Sequence, residues 1–446
     1  MNDKQKKILL KSIRVINPIN NFDSVSDVVI NGKKIVSIKN PNSKNTNEEN
    51  MGLIYDCKNL ILCPGLIDMK VHLNGLDQEN ITKTQNVASK AGVLKLVVAS
   101  NQDTMLDDPT IIEQLYEKSK DSLKPTIFCY GSATKNLDGL QISELGLMSE
   151  SGAIGFTDGV NCIQDSLVMR RIMSYASMFG KPVIQHAEDR SLAGLSQSNT
   201  NNISGEINEG EISTRLGLIG IPSCAEAIII ERDLRLAKLT NAHYHVSNIS
   251  TQEAVEVIKR GKKEGIKITC DTSPPYFSLN ELELLSYKTS FKLSPPLRNE
   301  KDRISIAQAI KEGIIDVIAS NHFPRSNDTK LLPFSSASVG ACGLETLLPL
   351  TLSLVKQGLI DLITAISMLT IKPARLLKLD IPNIQEDSIA SFIIVDPDKS
   401  VIIDENKLLT SPTPFHGRVL EGFNLATFLN GKIIYETNEF KNLKNV

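Results

Sequence analysis

The sequence predicts an α/β protein: a (β/α)8 TIM-type barrel with a small β-sandwich domain built from both termini. Two observations support this architecture. The middle of the chain alternates eight short apolar runs with longer stretches whose apolar residues recur every three or four positions. Each end of the chain carries an Asn-Gly dipeptide between apolar runs, which is a hairpin signal. The predicted β-domain therefore comprises residues 1–63 and 385–446, and the barrel comprises residues 64–384.

The eight apolar runs have the continuous, β-branched character of strands buried on both faces. They cover residues 66–72, 93–100, 126–131, 153–158, 182–186, 243–248, 266–272 and 314–321. Helices are predicted between them at 166–179, 224–239, 252–264 and 302–312, and Thr251 fits a helix start. Because such barrels carry their chemistry at the carboxyl ends of the strands, the polar residues that end the runs predict a site there.

The two ends of the chain predict a pairing of the termini. Residues 29–35 and 428–434 are similar apolar segments around Asn31-Gly32 and Asn430-Gly431, and both predict a type I′ turn. The polar segments 40–50 and 196–204 are expected to be solvated loops. The tail, residues 437–446, is expected to be frayed.

Composition excludes several classes of protein. A formal net charge of −2 over 446 residues gives no broad electrostatic case for nucleic acid or an anionic membrane. No window approaches the ~18 apolar residues of a membrane helix, and the start lacks the apolar run of a signal peptide. Seven cysteines without a Cys-x-x-Cys pair argue against a disulfide framework and against a structural zinc site. We therefore predict a cytoplasmic protein that binds neither nucleic acid nor membrane.

Several short phrases occur in a distinctive order. They are Pro-Gly-Leu-Ile-Asp at 64–68, Phe-Thr-Asp-Gly at 156–159, Gln-His-Ala-Glu-Asp at 185–189, Asn-Glu-Gly-Glu at 208–211, Arg-Leu-Gly at 215–217, Ser-Pro-Pro-Leu-Arg at 294–298 and Gly-Leu-Glu-Thr at 343–346. In this order they resemble the dihydroorotases, amidohydrolases that interconvert carbamoyl aspartate and dihydroorotate in pyrimidine synthesis. The resemblance covers roughly residues 8–436. It is closest to dihydroorotase-like proteins found alongside aspartate carbamoyltransferase.

The resemblance implies a metal site that this chain has largely lost. The family has two histidines on the first strand, an aspartate on the fourth, histidines on the fifth and sixth and an aspartate on the eighth. The matching residues here are Lys70, His72, Gly159, His186, Asn248 and Asn321. A protonated lysine cannot bind a metal, and an amide cannot accept a proton from water. Only His72 and His186 match family ligands, so we expect no metal and no cofactor. If the site proves functional, the expected metal is zinc.

Four further residues are predicted to line the residual pocket. They are Asp158, which precedes Gly159; Asn74, at the family's substrate-binding arginine; Ser294, at a family asparagine; and His322, after the catalytic aspartate position. Lys70 is expected to pair with a carboxylate such as Asp158, because a buried charge needs a partner. In a competing interpretation, the side chain of Asp158 or His245 moves into the site and replaces one of the lost metal ligands.

Three functions follow from these residues. The first is a pseudoenzyme of pyrimidine (UMP) biosynthesis, a non-catalytic dihydroorotase homologue that acts as a partner of aspartate carbamoyltransferase. The alternative is an active dihydroorotase, or a related hydrolase of cyclic amides, with a remodelled site. The third is a metal-free sensor of small molecules. No catalytic residue is assigned, since the position of the family's base is Asn321. The predicted partners are aspartate carbamoyltransferase and a second copy of the chain.

Overall fold

The computed structural model describes residues 7–41, 52–101, 104–194, 205–410 and 412–445. The predicted loop at 196–204 lies outside these residues, as does most of the predicted loop at 40–50. Within the described ranges, no helix is both long enough and apolar enough to cross a membrane.

The strands fall into three groups along the chain. The first group is β1 (Ile8–Asn17), β2 (Phe22–Asn31), β3 (Lys34–Lys39), β4 (Leu53–Asp56) and β5 (Ile61–Pro64). The second is β6 (Leu66–Val71), β7 (Val93–Val98), β8 (Thr126–Cys129), β9 (Gly131–Ser132), β10 (Phe156–Thr157), β11 (Val183–His186), β12 (Ile207–Asn208), β13 (Gly220–Ile221), β14 (Tyr244–Ser247), β15 (Ile268–Thr272) and β16 (Val317–Ile318). The third is β17 (Phe392–Ile402), β18 (Val419–Leu429), β19 (Lys432–Glu436) and β20 (Lys444–Asn445).

The helices lie mostly between the barrel strands. They are α1 (Gln78–Ala91), α2 (Pro109–Ser119), α3 (Leu145–Glu150), α4 (Ser166–Met178), α5 (Glu211–Leu216), α6 (Cys224–Thr240), α7 (Gln252–Lys263), α8 (Pro274–Ser278), α9 (Glu300–Lys311), α10 (Asn327–Lys330), α11 (Leu344–Lys356), α12 (Leu362–Met368), α13 (Ile371–Leu377) and α14 (Asn438–Asn442). The four predicted helices correspond to α4, α6, α7 and α9. The helix start at Thr251 is confirmed, since its hydroxyl accepts the N–H of Ala254 at 3.1 Å.

All eight predicted strand runs contribute to the barrel. Parallel strands β6, β7 and β8 form one part, and β9, β10, β11, β14, β15 and β16 form the other. β8 and β9 are separated by Tyr130 alone, so these two segments act as one strand. The circle closes where Val71 pairs in parallel with His322, and the N–H of His72 donates to the carbonyl of His322 at 2.8 Å. The predicted barrel is therefore confirmed.

Strands from both ends of the chain form one sheet, in the order β19-β18-β17-β5-β1-β2-β3, with β4 beside β1 and β20 beside β4. The link is β17, which pairs antiparallel with β5. This sheet has its own apolar core, separate from the barrel core, that includes Leu10, Phe392 and Phe428. The termini therefore build one domain as predicted, while its boundaries at residues 63 and 385 stay a prediction.

The two predicted hairpins differ in their turns. Asn430 and Gly431 have φ of 53° and 77°, as a type I′ turn requires. The type I′ prediction for the first hairpin is wrong, because Asn31 still belongs to β2 and the turn consists of Gly32 and Lys33, of which only Gly32 has a positive φ. The two tips touch: a Cβ at Gly431 would lie 1.8 Å from the carbonyl oxygen of Gly32. Only glycine fits there.

The expectation of a frayed tail is wrong for residues 437–445. Thr437 caps α14, and Phe440 within that helix is completely buried. Its ring stacks on Tyr55 with 4.6 Å between centroids. Strand β20 then pairs with β4. The tail packs because one aromatic side chain contacts a core contributed by the other end of the chain.

Candidate functional site

The first and eighth barrel strands meet beside Lys70 and His72. Asp68, Lys70 and His72 lie along β6 and just after its end, and all three side chains are buried. The carbonyl of Lys70 accepts the N–H of His322 at 3.2 Å. Asp68 is fully buried, and its Oδ1 accepts the N–H of Ser320 at 3.0 Å. Burial raises the pKa of Asp68 to about 6, although the bonds from Ser320 and Lys70 oppose the rise.

The fifth strand contributes His186, which the structure connects to the eighth strand through Ser294. The Ser294 hydroxyl lies 3.0 Å from Nε2 of His186, and Nδ2 of Asn321 donates to the Ser294 carbonyl at 3.4 Å. Burial, followed by the charge of Lys70, lowers the pKa of His186 to about 3. We call Lys70, His72, His186, Ser294, Asn321 and His322 the mouth cluster.

The charge that acts on Lys70 comes from Asp271, a residue that the sequence did not suggest. Burial lowers the pKa of Lys70 to about 8, and Asp271 opposes the fall. Burial pushes the pKa of Asp271 upward, but a 2.9 Å bond to His245 and the charges of His245 and Lys70 bring it below its ordinary value. Asp271 also accepts the N–H of Asn248 at 2.7 Å. Its only sequence signal was its place near the end of a strand run.

The predicted pair between Lys70 and Asp158 is wrong. Asp158 accepts instead from the N–H and the hydroxyl of Thr134, at 2.9 Å and 2.5 Å. Burial raises the pKa of Asp158 to about 6, against these bonds. With its oxygens bound to Thr134, Asp158 does not act as a replacement ligand, and His245 is likewise held by Asp271. Asn74 is exposed, and its carbonyl accepts from the side chain of Asn80, so the structure does not bring it to the mouth cluster.

Asn101, which sequence reasoning missed, occupies the space beside Gly159. Gly159 has φ of 67°, and a Cβ built there would lie 1.8 Å from Oδ1 of Asn101. Any side chain at Gly159, including an aspartate, would have to displace Asn101. The side chain of Asn101 therefore fills the space that a side chain at residue 159 would need.

The histidines of the mouth are held neutral. Burial, and then the charges of Lys70, Arg325 and His322, lower the pKa of His72 well below its ordinary value. Its ring stacks on Phe323 with 3.7 Å between centroids. Burial lowers the pKa of His322 to about 3, and its Nδ1 accepts the N–H of Gly343 at 3.3 Å.

The residues present do not fit a catalytic zinc ion. His72 and His186 offer neutral imidazoles, but a catalytic zinc usually has three protein ligands and a water. The amide oxygen of Asn248 already accepts from Ser273 at 2.7 Å, and Lys70 contributes a positive charge. In the described part of the chain, no group of three or more His, Cys, Asp or Glu residues could hold a metal ion.

The barrel interior nevertheless concentrates unpaired polar atoms. Of the twelve buried side-chain polar atoms that make no hydrogen bond with a described residue, eight lie at or beneath the mouth. They are Oδ2 of Asp68, both ring nitrogens of His72, Oδ1 of Asn101, the hydroxyls of Tyr130 and Ser132, Nδ1 of His186 and Nδ2 of Asn248. For His72, the backbone of Asn101 lies close enough to oppose part of the fall in its pKa. Buried polar groups normally have partners, so this set indicates a place for a polar ligand or for water.

Comparisons with known proteins support the resemblance. Residues 59–254 match the model of the family described as dihydro-orotase-like. A dihydroorotase of Ehrlichia canis is 37% identical over 428 residues, which cover 95% of this chain and 93% of that protein. A dihydroorotase of Aquifex aeolicus is 35% identical over 96% of this chain and 99% of that protein. The chain belongs to the dihydroorotase family.

Solved structures support the fold. The L-hydantoinase (dihydropyrimidinase) of Arthrobacter aurescens superposes with a TM-score of 0.83 at 20% identity, over 97% of this chain and 96% of that one. A D-hydantoinase of a Bacillus species gives a TM-score of 0.78 at 21% identity, over 96% and 95%. The relatives are named simply as dihydroorotases, and this favours the alternative function over a non-catalytic partner of aspartate carbamoyltransferase.

Proposed function

We propose that this dihydroorotase-family protein serves pyrimidine biosynthesis by binding dihydroorotate or carbamoyl aspartate at the mouth of its barrel. The observation that carries the proposal is the set of eight buried polar atoms that make no hydrogen bond at or beneath the mouth, together with the buried side chain of Lys70. A site that a ligand fills leaves such atoms without protein partners, whereas a purely structural core rarely does.

The chemistry of the mouth suits this class of compound. Lys70, protonated at neutral pH with a pKa of about 8, can pair with a carboxylate. The unprotonated ring nitrogen of His72 and Oδ1 of Asn101 can accept from the N–H groups of a ureide. Nδ2 of Asn248 can donate to a carbonyl oxygen. Each class of group in dihydroorotate and carbamoyl aspartate thus has a complementary group here.

We further propose that binding is not followed by hydrolysis at the rate of a metal-dependent enzyme. The amide of Asn321 cannot serve as a general base, and the loss of such a base costs ~10²–10⁴-fold in rate. The donor set around Lys70 does not fit the metal that would supply a hydroxide. The missing base and the missing metal each lower the rate of hydrolysis, so their effects multiply.

A second candidate is an active dihydroorotase with a remodelled site. It is favoured by relatives of that name at 35–37% identity over nearly the whole chain. This candidate requires a general base other than Asn321. The buried carboxylate of Asp68 on the first barrel strand, with a pKa raised to about 6, is one candidate for that base.

The two candidates are separated by measuring binding and turnover on the same preparation. Isothermal titration with dihydroorotate and with carbamoyl aspartate should give saturable binding to the wild-type protein. A surface control variant, Lys288→Met, should bind both compounds equally well. Elemental analysis should find no stoichiometric zinc, and ring opening of dihydroorotate should not exceed the rate without protein. Turnover that chelation abolishes would establish the hydrolase instead, and absence of binding to either compound would refute the proposal.

Association with aspartate carbamoyltransferase, or with a second copy of the chain, remains a separate proposal. Analytical ultracentrifugation of the chain alone and mixed with the transferase tests both. A sedimentation coefficient that does not change on mixing at micromolar concentrations would argue against the partnership.

A further inference from the structure

A polar cavity lies at the end of the barrel opposite the mouth. Its volume is about 420 Å³, and it sits at the amino-terminal ends of β11, β14 and β15. Lys181, Lys267, Lys378 and His243 line it. A cavity of this size can hold a small metabolite. Because chemistry in such barrels occurs at the carboxyl ends of the strands, a ligand here would bind apart from the mouth cluster.

The charged side chains that line this cavity are all basic. Among the described residues that line it, none is a carboxylate. Burial and the nearby charge of Lys378 lower the pKa of Lys181. Burial and then His245 lower the pKa of His243 to about 4, with Lys378 and Lys267 adding to the fall and Asp316 opposing it. Asp316, the carboxylate that raises the pKa of His243, already forms a salt bridge with Lys262 at 2.6 Å. The cavity thus gathers positive charges that repel one another.

Hydrogen bonds inside the barrel hold the His243 wall of the cavity in place. Nε2 of His243 and Nδ1 of His245 both lie 2.9 Å from the hydroxyl of Thr269, and Nε2 of His245 lies 2.9 Å from Asp271. Since the Asp271 carboxylate can only accept, His245 donates to it through Nε2. This chain of hydrogen bonds holds the His243 ring at the wall before any ligand arrives, which reduces the entropy cost of binding.

We propose that this cavity is a binding site for a small phosphorylated metabolite, whose phosphate lies among Lys181, Lys267 and Lys378. Three ammonium groups match a doubly charged group, whereas a single carboxylate would neutralise only one of them. Ser177 and Asn241, which also line the cavity, can hydrogen-bond the uncharged part of the ligand. An anion here would relieve the repulsion between Lys181 and Lys378.

Inorganic pyrophosphate is a suitable probe of the site. Isothermal titration at constant ionic strength should show saturable binding to the full chain. Binding should weaken at least tenfold in Lys181→Gln and in Lys378→Gln and should stay unchanged in Lys288→Gln, an exposed lysine away from the cavity. Reductive methylation followed by mass spectrometry should show that pyrophosphate protects Lys181, Lys267 and Lys378 but not Lys288.

Specific outcomes would overturn the proposal. Equal affinity in all the variants, equal protection of Lys288, or no binding of pyrophosphate would each refute the site. Succinate that binds as tightly as pyrophosphate would refute its assignment to phosphate. Thermal unfolding of each variant checks its fold, and Lys267→Gln, at an exposed position, replaces Lys181→Gln if that variant does not fold. None of these measurements depends on a ligand at the mouth.

Discussion

Two buried polar clusters share strand β11 but satisfy their polar atoms very differently. His186 belongs to the mouth cluster, where its Nδ1 and both nitrogens of His72 lack hydrogen-bond partners in the described structure. Its neighbour Gln185 faces the helices, where its amide donates to Asp233 at 3.2 Å. Asp233 also accepts from the Tyr244 hydroxyl at 2.9 Å. We call Gln185, Arg232, Asp233 and Tyr244 the outer cluster.

The difference separates two uses of buried polarity. In the outer cluster, Arg232 pairs with Asp233 at 2.7 Å and also donates to the carbonyls of Ile163 and Gln164, so the buried charges compensate one another. Such a network fixes α6 against the barrel. In the mouth cluster, Lys70 has the charge of Asp271 to oppose its burial, while several polar atoms make no hydrogen bond in the described structure, at a cost in stability that a ligand can recover. The outer cluster should therefore govern stability, and the mouth cluster should govern binding.

The largest expected effect is the loss of stability in Asp233→Ala. Removal of this fully buried carboxylate leaves Arg232 and the Tyr244 hydroxyl without their partner, and breaking a buried pair costs about 3–5 kcal/mol. Urea unfolding measures the loss. Asp398→Ala, at an exposed carboxylate, should change stability by less than about 0.5 kcal/mol. Equal effects of the two substitutions would show that the outer cluster does not hold the fold.

The next effect is at Gly159. Gly159→Ala should destabilise the protein by about 2–4 kcal/mol, because the new methyl meets Asn101 and the backbone has a positive φ. Combining it with Asn101→Ala should recover the steric part, which a double-mutant cycle reveals. Gly265→Ala is the control, since its φ of 73° is similar and its Cβ would meet nothing within 4 Å. A loss at Gly159 no greater than at Gly265 would contradict the close packing of Asn101.

Lys70→Met should affect binding rather than stability. Loss of the ammonium should weaken dihydroorotate binding about 10–100-fold, the equivalent of ~1.5–3 kcal/mol for a hydrogen bond to a charged group. The free energy of unfolding should stay the same or rise, because a poorly compensated buried charge is removed. Calorimetry and urea unfolding measure the two quantities. A large loss of stability with unchanged binding would reverse the roles assigned to the two clusters.

The smallest expected effect is the pH dependence of that binding. The charged form of Lys70 holds the carboxylate, so raising the pH from 7 to 9, through its pKa of about 8, should weaken binding roughly tenfold. The pKa in the folded state is below the ordinary 10.5, so the charge costs stability below pH 8 and the cost fades as the pH rises toward 10.5. Lys70→Met should lose both dependences. A wild-type affinity that is flat over this range would exclude Lys70 as the anion-binding group.

Local pattern determined much of this protein. The apolar runs predicted the barrel strands because a strand buried on both faces needs a continuous apolar segment. Thr251 and the Asn430-Gly431 turn were predictable because a helix cap and a type I′ turn depend on a few adjacent residues. The ordered phrases likewise indicated the dihydroorotase family, since each phrase is a short local signature.

Only the tertiary structure decided which side chains share the site. Asp271, rather than Asp158, acts on Lys70, because strand order and side-chain direction determine which carboxylate faces the barrel interior. Asn101 fills the space beside Gly159 although the two residues are far apart in sequence. Phe440 orders the tail through Tyr55 at the other end of the chain. Such contacts depend on the distances between elements after packing, and a linear sequence of residues does not contain those distances.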